Sequence, residues 1–423
     1  MLHIYFLIMK MYTDVLRKNR KFFLCFFILK IILMNVGGHM TNGLKVTAKL
    51  ISKHSYPVEE HTVRTKDDYI LTIYRIPDSP KLKNLNNTYE KPVVFLQHGI
   101  LCSSDDWILS ETSSLAYMLV DMGYDVWLGN ARGNTYSRQH IHKHPDSSDF
   151  WNFSWHEIGV YDLAAMLDYA LDATKAGSVH FVAHSQGTTT FFVLMSTLPR
   201  YNEKVRTVHL LAPIAFMKDH SFLLSKVGGI FLGSPSFLSM VLSGFELLPA
   251  RSAQRLFCDY ICSEHSSLQF LCSSILDFIG GWGTRHLNQT LLPHVCETHP
   301  AGASTTQIIH YLQLYSSGDF KQYDHGMDIN LKKYNQKTPP HYEIKNIKTC
   351  VDMYYSDNDY MSAVKDVEHL ADLLPCARLF RVPYDDWNHY DFLWSLNVKE
   401  MINERIIEKI ERYEGTHDHL KRL

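Results

Sequence analysis

The sequence predicts an α/β fold: a doubly wound, mostly parallel sheet interrupted by a long, largely helical insertion. Two observations carry this. Short apolar runs of strand type alternate with helical periodicity in two separate stretches, and the chain between those stretches, residues 216–340, loses the alternation. Within the first stretch, VRTKDDYILTIYRI reads as two alternating strands around the polar Lys66-Asp67-Asp68 turn. After a polar loop from Pro80 to Lys91, PVVFLQHG is a short apolar run of the buried-strand type. A helix near Thr112 to Met122, the strand YDVWLGN, a helix over HEIGVYDLAAMLDYAL, the strand SVHFVAH, the helix QGTTTFFVLMSTL and the strand VRTVHLLAP follow in turn. Strands separated by crossover helices pair in parallel, with helices covering both faces.

From Phe216 to Pro340 the chain is rich in Phe, Leu, Ser, Gly and Cys, with helical stretches and no clear strand. That length excludes a simple loop, so the segment reads as a cap inserted between core residues 39–215 and 341–423. Alternation resumes with TCVDMYYS, a helix near Ala363 to Leu374, the strand ARLFRVP and a last helix from about Val398.

The bulk numbers suit such an architecture. The 423 residues can bury one large core with an insertion, and 46% hydrophobic against 20% charged residues excludes wholesale disorder. A net charge of -2 without a basic block excludes a nucleic-acid partner. Protonating all 24 histidines would bring that charge to +22, a surface that changes strongly toward acid pH.

Basic residues Arg17, Lys18, Arg20 and Lys21 precede the apolar run Phe22 to Met34, which is interrupted by Lys30. The run is short for a membrane span and suits a signal-peptide core, with cleavage after Gly38 and Met11 as an alternative start. Residues 1–38 are therefore expected to direct the chain to the secretory pathway without a stable transmembrane anchor, for an extracellular or lysosomal destination. The sequons at Asn86, Asn152 and Asn288 agree with that route. Removing Cys25 with the signal leaves seven cysteines, so at least one thiol stays free. The closeness of Cys258, Cys262 and Cys272 points to a local bridge among them.

The chemistry centres on A-H-S-Q-G, Ala183 to Gly187, between a predicted strand and a predicted helix. A nucleophile elbow needs that context, because the tight turn lifts Ser185 above the sheet edge. A serine hydroxyl is a weak nucleophile without a base, and the base needs an orienting acid. MYYSDNDY offers Asp357 and Asp359 at a strand end, and DDWNHYDFLW offers His389 in a loop before the last helix. The order Ser, Asp, His suits this type of sheet. The backbone amides of Ile100, in Q-H-G-I, and of Gln186 are expected to hold the developing oxyanion, with His98 packing beside them.

QHGI, GYDVWLGNARGNTYSR, FWNFSWHEIGVYDL, HSQGT, AGAST and NHYDFLW, in this order and spacing, resemble the acid lipases of the gastric and lysosomal type over about Leu50 to Tyr413. The resemblance implies an α/β-hydrolase core with a cap and lid, acting on neutral lipid esters at a lipid–water interface through an acyl-enzyme. By match it places Ser185, Asp359 and His389 on the family's triad, which prefers Asp359 to Asp357, and it pairs Cys262 with Cys272, here with one extra residue between them. Ala183 stands where the family has glycine, and YYSDND departs from its glycine-containing turn. The reaction requires no cofactor and no metal, and Cys258-x3-Cys262 lacks the second ligand pair of a structural zinc site. The rival readings are a carboxylesterase on smaller esters and a non-catalytic lipid carrier.

Overall fold

The structure is a computed structural model that describes residues 46–82, 90–248 and 258–415. The expected signal segment, Cys25 and Asn86 lie outside the described residues. A short helix, α1 (Val46–Lys53), leads into β1 (Glu59–Arg64) and β2 (Tyr69–Ile76), an antiparallel hairpin. Next come β3 (Val93–Gln97), α2 (Leu115–Asp121), β4 (Asp125–Leu128) and the two-residue β5 (Gln139–His140). A helical stretch opens at Trp155 under a capping box made by Ser154 and Glu157, then passes through a π-helical turn into α3 (Ala164–Thr174). β6 (Val179–His184), α4 (Gln186–Thr197) and β7 (Val205–Leu211) complete this half.

Between β7 and the next strand of the main sheet lie α5 (Leu223–Leu232), α6 (Phe237–Leu242), β8 (Glu246–Leu247), α7 (Phe270–Gly280), α8 (Leu292–Thr298), β9 (Ala303–Ser304), α9 (Thr305–Ser317) and α10 (Met327–Tyr334). The segment is mainly helical. β8 and β9 form a two-residue antiparallel ladder that the sequence pattern did not reveal, because two residues are too few to show alternation. β10 (Val351–Tyr355), α11 (Val364–Leu373), β11 (Ala377–Arg381) and α12 (Glu404–Glu414) close the chain.

The main sheet runs β1-β2-β4-β3-β6-β7-β10-β11, with β5 beside β2. From β4 to β11 every neighbouring pair is parallel. The central strands are buried on both faces, which is why they read as continuous apolar runs. In β3, Val93 and Phe95 enter the core beneath α3 and α4, while Val94 and Leu96 enter the one beneath α2 and α12. The chain leaves the sheet after β7 and re-enters it at β10, the adjacent strand, so the insertion interrupts neither sheet pairing nor core.

Arg132, in the GNARGN run, binds this sheet edge together. Its side chain is 1% exposed, reaching Asp67 (2.6 and 2.8 Å) and Asp162 (2.6 and 2.8 Å), and its guanidinium lies 3.9 Å above the Tyr69 ring. Asp162 has no exposed surface. Arg132→Ala would strand that carboxylate in the interior, an expected loss of about 3–5 kcal/mol that a urea midpoint would register. An unchanged midpoint would show that the pair contributes little.

Three disulfides join Cys258–Cys296, Cys262–Cys272 and Cys350–Cys376, leaving Cys102 as a buried free thiol. The local bridge expected among Cys258, Cys262 and Cys272 is present as Cys262–Cys272, the pairing the resemblance implies. Cys258 reaches across 38 residues to Cys296, and Cys350–Cys376 ties together the starts of β10 and β11. No described helix is long and apolar enough to cross a membrane.

Candidate active site

β6 ends at His184 and α4 begins at Gln186, so Ser185 alone forms the turn between them, at φ 52° and ψ −123°. A non-glycine residue there is strained, and the strain is held by its surroundings. The Ser185 amide donates to the Leu211 carbonyl (3.0 Å), while the Ser185 carbonyl accepts from the Thr188 amide (2.8 Å) and hydroxyl (2.6 Å). A Cβ at Gly187 would sit 2.6 Å from the Gln97 carbonyl oxygen, which is why glycine stands at that position. Ala183 occupies β6 opposite Gln97 and Leu210, fully buried, so the core admits its extra methyl.

Two further loops meet this turn. His389 Nε2 accepts from the Ser185 hydroxyl at 2.8 Å, and His389 Nδ1 donates to the Asp359 carboxylate at 2.8 and 3.0 Å. All three residues are buried. Asp359 Oδ1 also accepts from the Met361 and Ser362 amides, both at 2.9 Å. Asp357 points elsewhere, into an ion pair with Arg381. His184 Nε2 donates to the His389 carbonyl at 2.9 Å; burial, with His389 beside it, pushes His184 down to about 3, so it stays neutral and adds no charge to the site.

Ile100, in the loop after β3, and Gln186, at the start of α4, flank Ser185. Among the described residues neither amide donates a backbone hydrogen bond, and Gln186 opens α4, where unpaired N–H groups and the helix dipole favour a negative charge. Gly99 brings the Ile100 loop close, since a Cβ there would lie 3.1 Å from the Ser185 Cβ. His98 does more than pack beside this loop. Its Nδ1 donates to the Gly99 carbonyl (2.7 Å), and its Nε2 accepts from the Ala131 amide (3.1 Å) and the Asn134 side chain (3.2 Å), which pins QHGI to NARGN. Burial lowers its pKa and favours the neutral ring that all three bonds use.

Sequence reasoning missed the contribution of Gly280 and Gly281. The Gly280 carbonyl accepts from the His389 amide (3.2 Å) and the Tyr360 amide (3.1 Å), fastening the His389 loop and the Asp359 loop to the end of α7. The Gly281 carbonyl accepts from Asn388 Nδ2 at 3.2 Å. The Gly-Gly pair in IGGW was the only sequence signal for this. Of the remaining expected sites, Asn152 is exposed, and Asn288 is half-buried with its side-chain oxygen held by Thr290.

A parallel sheet with a strained serine turn at a strand end defines an α/β hydrolase. Residues 92–396 match the family described as alpha/beta hydrolase fold, and residues 47–111 match the partial alpha/beta-hydrolase lipase region. Lipase 3 of Drosophila melanogaster is 42% identical over 86% of this chain and 92% of its own length; Lipase 1 of the same fly is 37% identical over 85% and 78%. Gastric triacylglycerol lipase of Mus musculus is 36% identical over 85% and 90%. The chain belongs to this lipase family of the α/β hydrolases, and is a carboxylic ester hydrolase.

Proposed function

We propose that this lipase hydrolyses neutral lipid esters, triacylglycerols or sterol esters, through an acyl-enzyme on Ser185. The observation that carries the reading is the unbroken relay from the Ser185 hydroxyl through His389 to Asp359. His389 Nε2 takes the hydroxyl proton as Ser185 Oγ attacks the ester carbonyl, then returns it to the departing alcohol. Water repeats the cycle and releases the fatty acid. Asp359 holds the proton on Nδ1 so that Nε2 is free to accept, and the Ile100 and Gln186 amides take the charge on the carbonyl oxygen.

A long-chain substrate at a lipid–water interface is supported by α5 and α6. Both expose large apolar side chains, among them Ile230, Phe231, Phe237 and Met240, each more than half accessible. Gly228 and Gly229 let α5 pack closely on α9 at Leu312 and Tyr315, which turns the apolar side outward. Ser185 lies buried, so substrate entry requires part of this segment to move. Three disulfides and the sequons favour an oxidising, secretory-pathway destination, extracellular or lysosomal.

Turnover of an emulsified long-chain triacylglycerol and sterol ester, set beside a short soluble ester, tests the substrate class. Faster hydrolysis of the emulsified lipids is expected. Activity confined to the soluble ester would make the chain a carboxylesterase instead. Failure of an active-site fluorophosphonate to label Ser185 would leave only a carrier role.

A further inference from the structure

The buried free thiol does not stand alone. Cys102 Sγ, a carboxylate oxygen of Asp106 and a ring nitrogen of His299 all lie within 4.8 Å of one another. Cys102 and Asp106 are buried, and the His299 side chain is 13% exposed, at the end of α8. None of the three takes part in the relay around Ser185.

Two details point to a ligand. His299 Nδ1 is committed to the Val295 carbonyl (3.1 Å) and the Thr298 hydroxyl (2.9 Å), which orients Nε2 toward Asp106 at 2.6 Å. A metal-binding histidine is commonly fixed in this way, by donating its second nitrogen to a backbone carbonyl. Asp106 is 3% exposed, and its second carboxylate oxygen, Oδ2, has no hydrogen-bond partner among the described residues. An ion pair between Asp106 and His299 accounts for one oxygen, and the Cys102 thiol hydrogen-bonds the same carboxylate, so all three groups converge on one point while Oδ2 keeps no partner of full hydrogen-bond geometry. Leaving a buried carboxylate oxygen unmatched is costly.

We propose that Cys102, Asp106 and His299 form a three-ligand site for a zinc-class divalent cation. Zinc–ligand distances of about 2.0–2.3 Å place tetrahedral ligand atoms roughly 3.3–3.7 Å apart, a change of about an ångström or less from the separations here. Loading exchanges the Cys102 thiol proton and the His299 imidazolium proton for the cation, and both protons pass to solvent. A dication with one thiolate and one carboxylate is neutral overall, which suits a buried position. Sulfur, nitrogen and oxygen together select zinc, or cobalt as its spectroscopic substitute, over magnesium or calcium, whose ligands are all oxygen. The site lies on the loop that follows Ile100. Its role is separate from the ester chemistry, which needs no metal.

The test is a titration of the chelator-treated full chain with Co(II), followed by displacement with Zn(II). One equivalent is expected to bind with a thiolate-to-cobalt charge-transfer absorption in the near ultraviolet, which Zn(II) then bleaches. The thiolate band matters because a chain with 24 histidines will also collect cations at exposed imidazoles. Cys102→Ser should abolish the band, and His299→Asn should weaken affinity on the order of 100-fold. Cobalt bound without a thiolate band in the wild-type chain, or no stoichiometric binding at all, would overturn the proposal whether or not either variant folds.

Discussion

Ser185→Ala is expected to lower turnover of every ester by about a million-fold, close to 8 kcal/mol of transition-state stabilisation, with little change in thermal stability. The size follows from the connectivity. Without the hydroxyl, His389 Nε2 has no nucleophile to activate, and what remains comes from binding and from the amides at Ile100 and Gln186. Stability should hold because the turn at Ser185 is fixed by its backbone contacts to Leu211 and Thr188, all of which alanine keeps; only the hydroxyl contact to His389 is lost. His389→Ala should fall equally far, and the double variant no further, because the two groups act as one unit. Single-turnover assays and fluorophosphonate labelling measure both. Near wild-type activity in Ser185→Ala would falsify the assignment of the nucleophile.

The second large effect is expected at Asp359→Asn, a loss of about ten-thousand-fold in kcat, or roughly 5 kcal/mol. The local geometry dictates how the new amide sits. Oδ1 accepts from the Met361 and Ser362 amides, so the asparagine carbonyl must take that position. Its NH2 then faces His389 Nδ1, where Oδ2 stood at 2.8 Å. The imidazole answers by moving its proton to Nε2, the nitrogen that has to accept from Ser185. Binding should change far less than kcat. Asp357→Asn is the control: its carboxylate pairs with Arg381 at the surface, a contact generally worth about 0–1 kcal/mol, and activity should change by no more than a few-fold. The reverse ranking of the two variants would make Asp357 the orienting acid.

β2, β3, β4, β6, β7 and β10 were legible because each is a continuous apolar run or a largely alternating one, and burial on one or both faces writes that pattern into the residues, whereas the two-residue β5 is too short and too polar to show one. The serine turn was legible for a related reason: a sharp strand-to-helix junction tolerates only small neighbours, and Gly187 lies against the Gln97 carbonyl. Asp359 was separable from Asp357 only through family resemblance, since both stand in the same turn and nothing local distinguishes them. Their difference is one of direction, toward His389 or toward Arg381.

The sequence by itself determined the fold class and singled out Ser185 and His389 as the proposed nucleophile and base, because each leaves a local mark: hydrophobic period, turn chemistry, and order along the chain. Tertiary structure alone decided which groups hold the site in place. The Gly280 carbonyl joins two loops 29 residues apart, His98 fastens one strand end to the next, and Cys102 meets His299 across nearly 200 residues. Such contacts depend on where distant segments come to lie after the core has formed, and no spacing within one segment encodes them.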